Sequence, residues 1–200
     1  THSHSDHFYP QDLCKIMPPY GTHDRKRPLQ IYGNESVGKA LEDVGITDPR
    51  LGRYLQFNLL KTSIMYSIDD YEITPLLANH DPKQSCFIYV IQKDNKTLLY
   101  GHDSGCFLDE TWSELAAFTF DGVILDCTTV EEKCPYPSHM GIPDNIKIRE
   151  RMYKDGMANS KTIFILTHFA HTNAPFHERV NRLASDNGFI AAYDGFQTKI

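Results

Sequence analysis

Two hundred residues carrying a net charge of −6, with 40% hydrophobic and 23% charged side chains, fit a single globular domain with a sizeable core. The acidic balance disfavours a chain whose main work is coating nucleic acid, and no apolar run approaches the ~18 residues of a membrane span. Five cysteines (Cys14, Cys86, Cys106, Cys127 and Cys134), without a C-x-x-C pair, suit reduced, mostly buried thiols in a cytoplasmic protein better than a disulfide framework.

The chain opens Thr-His-Ser-His-Ser-Asp-His. In an extended segment His2 and His4 point to the same side, whereas Asp6 and His7 diverge unless the chain turns. That pattern suits two ligand pairs for two neighbouring ions, and imidazole with carboxylate favours Zn, Mn or Fe over Ca or Mg. A short helix over 9–17 ends at Pro18-Pro19. The basic run His23-Asp24-Arg25-Lys26-Arg27 reads as a solvated loop. Residues 29–33 form a strand, and Asn34 caps a helix through Val37, Leu41 and Val44 that Gly45 closes.

The middle reads as strands over 61–68, 72–78, 85–92 and 97–100, with Asp94-Asn95 as a hairpin turn. A short helix is expected over 114–118. Residues 122–126 make a buried strand ending on Asp126, 143–154 a helix, and 162–167 a second buried strand ending in His168. Residues 174–187 form an amphipathic helix, and 189–193 with 196–200 a closing hairpin around Asp194-Gly195. Hairpins followed by strand–helix alternation indicate an α/β sandwich.

The opening H-x-H-x-D-H resembles the first metal motif of the metallo-β-lactamase superfamily, and further pieces follow in that family's order. Asn79-His80 follows a strand, Asp103 sits in Gly101-His102-Asp103-Ser104-Gly105, and His168 ends a strand in Thr167-His168-Phe169. The resemblance implies a four-layer αββα sandwich and two divalent transition-metal ions, with Zn first and Mn or Fe as alternatives. By that resemblance His2, His4 and His80 hold one ion, Asp6, His7 and His168 the other, and Asp103 both. Related chains carry strands before the first motif, so residues 1–200 read as one metallo-β-lactamase-like domain lacking its N-terminal strands.

Within the superfamily, Asp126-Cys127-Thr128 followed by Ser138-His139-Met140 resembles the ribonuclease Z and phosphoribosyl cyclic-phosphate phosphodiesterase branch. There the acid orients a histidine that protonates the leaving oxygen, which assigns catalytic roles to Asp126 and His139 beside Asp6. The implied activity is hydrolysis of a small phosphodiester, cyclic ribose phosphates included, by a hydroxide activated between two metal ions. A tRNA 3′-processing endonuclease, a thioester, lactone or β-lactam hydrolase, and a metal-bound sensor without turnover are the other readings. Nucleic acid is the less favoured substrate, no membrane partner is expected, and the sequence leaves a homodimer open. His171 is expected to support the ligands from behind, and His23, His102 and His177 to be surface or loop histidines.

Overall fold

A computed structural model describes residues 1–16, 20–21, 28–132, 137–171 and 175–200. Contacts divide the chain into two compact units, residues 1–61 with 83–86, and residues 62–82 with 87–200.

In the first unit the opening residues lead into a 3₁₀ helix, Pro10–Ile16. Strand β1 (Leu29–Gly33) is followed by α1 (Glu35–Thr47), the short α2 (Leu51–Tyr54) and β2 (Leu55–Leu59), which lies parallel to β1. Asn34 starts α1 as the sequence suggests: its side-chain oxygen accepts from Val37 N at 2.9 Å. The same side chain donates to the Ser85 carbonyl at 2.7 Å. Gly45 does not end the helix, which continues to Thr47 before Asp48 closes it. Gly38 is needed for packing, because a Cβ there would stand 2.6 Å from the Phe57 ring of β2.

The second unit holds a seven-stranded sheet in sequential order: β3 (Tyr66–Ile68), β4 (Tyr71–Leu77), β5 (Phe87–Lys93), β6 (Lys96–Gly101), β7 (Gly122–Asp126), β8 (Ile163–Thr167) and β9 (Ile190–Ala191). Pairing is antiparallel from β3 to β6 and parallel from β6 to β9. The change follows the connections. Asp94 and Asn95, both left-handed (φ 49° and 61°), make a two-residue hairpin between β5 and β6. The later strands are separated by helices α3 (Asp109–Leu115), α4 (Ile142–Lys154) and α5 (His177–Asp186), and parallel neighbours need such crossovers. Strand β7 reads Gly-Val-Ile-Leu-Asp and is almost wholly buried, as expected of a strand covered on both faces. Leu76, Ile88, Val90, Leu99, Val123, Leu125 and Leu166 form this core with Leu115, Met140 and Met152.

Three sequence expectations are corrected here. Residues 61–65 are not strand; Ser63 is left-handed (φ 63°), and only 66–68 pair. The helix expected over 114–118 begins at Asp109 and ends at Leu115, starting with two acids at its positive end. Residues 189–200 do not form a hairpin. The two-residue β9 pairs with β8 in parallel because α5 returns the chain to that edge, and a turn follows in which Phe196 N donates to Tyr193 O. The terminal Ile200 side chain lies over Gly122, where a Cβ would meet it at 2.7 Å.

Candidate metal centre

In the first unit, the opening segment turns at Ser5 to His7, with the His7 and Phe8 N–H groups donating to the His4 carbonyl at 3.0 and 2.8 Å. The turn gathers the imidazoles: the His2 and His4 rings are 4.3 Å apart and the His2 and His7 rings 5.1 Å. His2 is buried, and Gln84 secures the segment by accepting from both the N–H and the hydroxyl of Ser3 at 3.0 Å. Slight burial pushes the Asp6 carboxyl upward, but its own backbone N–H and the imidazoles of His7, His4 and His2 hold it below the usual carboxylate range. Asp6 is therefore ionised at neutral pH.

In the second unit, His80, Asp103, Asp126, His139 and His168 come together at the strand ends. Asp103 follows β6 and His168 follows β8, both left-handed (φ 55° and 62°), and Asp126 ends β7 between them. Ligand sites at the carboxyl ends of adjacent parallel strands are the rule in α/β sheets. The loops are laced together. Gly105 N donates to Asn79 O at 2.8 Å, Asn79 N to Ser104 Oγ at 3.1 Å, and His80 Nδ1 lies 3.1 Å from Ser138 O. Gly105 is the close approach, since a Cβ there would stand 1.6 Å from the Pro137 carbonyl oxygen.

Asp103 is 1% exposed, and its Oδ1 faces His80 Nδ1 at 3.3 Å, His139 Nδ1 at 3.4 Å and His168 Nε2 at 3.6 Å. A buried carboxylate ringed by imidazoles fits a divalent cation, because burying that charge is costly unless it is paired or ligating. Asp103, Asp126, His139 and His168 each offer a donor atom within 4.8 Å of the others.

Asp126 is engaged differently. Its Oδ1 accepts from Met140 N at 2.8 Å and Thr128 N at 3.1 Å, and Thr128 Oγ1 lies 3.0–3.1 Å from both oxygens. Its Oδ2 faces His168 Nδ1 at 2.8 Å and His139 Nδ1 at 3.1 Å. Burial pushes this carboxyl up, but the hydrogen bonds from His139, His168 and Met140 N outweigh it, leaving a pKa of about 2. An ionised carboxylate only accepts, so both Nδ1 atoms carry the proton that faces it, which leaves Nε2 as the outward nitrogen of each ring. The Asn145 side chain, donating to Asp126 O at 2.8 Å and Gly141 O at 3.0 Å, ties this strand end to the start of α4.

The His168–Asp126 contact, Asn145, and the carbonyl behind His80 escape a motif reading; only the register of β7 against β8, Asp126 beside Thr167, brings the first together. His102 is not the detached loop residue expected. Its ring lies 4.7 Å from the His168 ring, edge to face, and stacks on Tyr100 at 5.4 Å. His171 is exposed, and His177 packs against Tyr193 with ring centres 5.5 Å apart. His23, the basic run to Arg27, and Cys134 lie outside the described residues.

Residues 1–169 match the family described as the beta-lactamase superfamily domain, and the chain belongs to that family. Ribonuclease Z of Lachnospira eligens is 32% identical over 81 residues, a match spanning 40% of this chain and 26% of that protein. A diphosphatase of the PhnP family superposes over 100% of this chain and 69% of its own, with a TM-score of 0.69 and 20% identity. The short form of human tRNase Z covers 86% of this chain and 71% of its own, at TM-score 0.60 and 18% identity. The fold is thus the α/β metallo-β-lactamase fold, whose His/Asp clusters take divalent metals. Among the described residues no helix is long and apolar enough to cross a membrane.

Proposed function

We propose that the chain is a metal-dependent phosphodiesterase for small phosphodiesters, cyclic ribose phosphates among them, with two divalent ions held by His2, His4, Asp6, His7, His80, Asp103 and His168. The seven ligands are taken from motif order and family. When bound, the ions would supply Lewis-acid charge at the phosphoryl oxygens and a water of lowered pKa. Zn suits the imidazole-rich set best, with Mn or Fe as alternatives.

One observation carries the diester reading. Asp126 holds His139 by Nδ1, next to His168 and stacked on it at 5.4 Å. The buried carboxylate stabilises an imidazolium, whose second N–H is then available to the departing oxygen. An alkoxide leaving group needs that proton, whereas a thiolate from a thioester does not. Thr128 supports the arrangement, its hydroxyl 3.2 Å from His139 Nδ1.

The test compares His139→Ala on two diesters. Metal content should persist while turnover of an alkyl diester falls about 10²-fold or more, with a smaller loss on a nitrophenyl diester. Equal losses on both would refute the proton-donor role. The ribonuclease Z reading is supported by the 32% identity match. It is tested by competing a ribose cyclic phosphate against a tRNA precursor at two salt concentrations. Precursor cleavage with a steep salt dependence, a log–log slope of about −0.9 per duplex phosphate gripped, would favour the nuclease.

A further inference from the structure

His102 lies outside the ligand set that the motifs assign, yet the fold delivers it to the same place. It is the first residue after β6, one step before Asp103, and β6 and β8 flank β7 in parallel register, with Gly101 opposite Leu125 and Asp126 opposite Thr167. The left-handed turn at Asp103 separates the two neighbouring side chains. As a result the His102 ring meets the His168 ring at 4.7 Å and an interplanar angle of 82°.

Ring nitrogens of the two residues lie within 4.8 Å of one another. Two nitrogens bound to one tetrahedral zinc at about 2.0–2.1 Å stand roughly 3.3 Å apart, so modest side-chain rotation closes the gap. Asp126 already occupies His168 Nδ1, which leaves His168 Nε2 as its donor. Tyr100 stacks on His102 at 5.4 Å and 19°, covering one face of the ring and leaving its edge toward His168.

We propose that His102 is an additional ligand to the ion held by His168. The proposal rests on the metal-centre reading above. An extra imidazole would bias that ion's site away from Mn and toward Zn, Co or Ni, because nitrogen donors suit the later metals and carboxylate and water the earlier ones.

The competing explanation is packing: a ring that fills space between Tyr100 and His168. Phenylalanine keeps the ring and removes the nitrogens, so His102→Phe separates the two roles where His102→Ala alone would not. The experiment loads the full wild-type chain and both variants with Co(II), measures bound metal by elemental analysis, and follows release to a chelator by the visible cobalt bands. Expected are two ions in the wild type and, in both variants, one ion bound at least about 10-fold more weakly with an altered cobalt spectrum. Even partners that merely orient a ligand cost 10–100-fold in metal affinity. A His102→Phe chain that keeps both ions at wild-type affinity and spectrum overturns the proposal while leaving the metal centre intact. A folded wild-type chain that takes up no metal overturns both together.

Discussion

Asp126→Asn is nearly isosteric, yet the hydrogen bonds around residue 126 leave it no satisfactory orientation. The two oxygens of Asp126 divide their work: Oδ1 serves Met140 N and Thr128 N, and Oδ2 serves the Nδ1 atoms of His168 and His139. An amide nitrogen on the Oδ1 side would confront two backbone N–H donors, each left unsatisfied at about 1–3 kcal/mol. On the Oδ2 side it confronts two imidazoles, which can escape by moving their protons to Nε2. The second orientation wins, and its cost falls on function: His168 Nε2, facing Asp103 at 3.6 Å, loses its lone pair, and His139 loses the charge that stabilises its cationic form. Metal affinity should fall about 10–100-fold, and turnover of an alkyl diester about 10²–10⁴-fold. Chelator competition, steady-state turnover with metal in excess, and imidazole nitrogen NMR of the zinc-loaded chain read the three effects separately. Unchanged metal affinity with reduced turnover would mean that Asp126 acts through His139 alone. Unchanged tautomers would refute the reasoning entirely.

Two further outcomes follow from packing and burial. Gly105→Ala, forcing a Cβ to 1.6 Å from Pro137 O, should destabilise the fold by about 1–3 kcal/mol or more in denaturant titration; wild-type stability would mean that the loop carrying Pro137 yields freely. Cys106 is exposed, while burial pushes the Cys127 thiol up to about 12, with the Asp126 charge adding to it. An alkylating agent at pH 8 should therefore label Cys106 in the folded chain and leave Cys127 unmodified until denaturant is added, as peptide mass spectrometry would show.

The elements best read from sequence are those whose signal is local. The strands 29–33 and 122–126 stand where the apolar runs put them, and the Asn34 cap and the Asp94-Asn95 turn depend on side-chain and backbone chemistry within a few residues. Errors arise where tertiary contacts override local preference. Gly45 stays helical although glycine commonly ends helices, and Phe196 to Ile200, β-prone in composition, place Ile200 against Gly122 instead of pairing. The site divides in the same way. Motif order supplies His2, His4, Asp6, His7, His80, Asp103, Asp126, His139 and His168 as candidates. No motif discloses that one oxygen of Asp126 faces two imidazoles, or that His102 reaches His168, because both depend on how three strands are registered side by side.

The change from antiparallel to parallel pairing at β6 also bears on the order in which the molecule can assemble. Strands β3 to β6 join near neighbours in sequence, and Asp94-Asn95 links β5 to β6 through only two residues, so these pairings close short loops. The remaining pairings each wait for a crossover, and the residues they unite, at positions 80, 103, 126, 139 and 168, are scattered along the chain. Such non-local contacts form slowly, since loop closure must precede any reward. Topology therefore favours early closure of the hairpin half, and the strand ends that carry positions 103, 126 and 168 meet only when the parallel pairings are made.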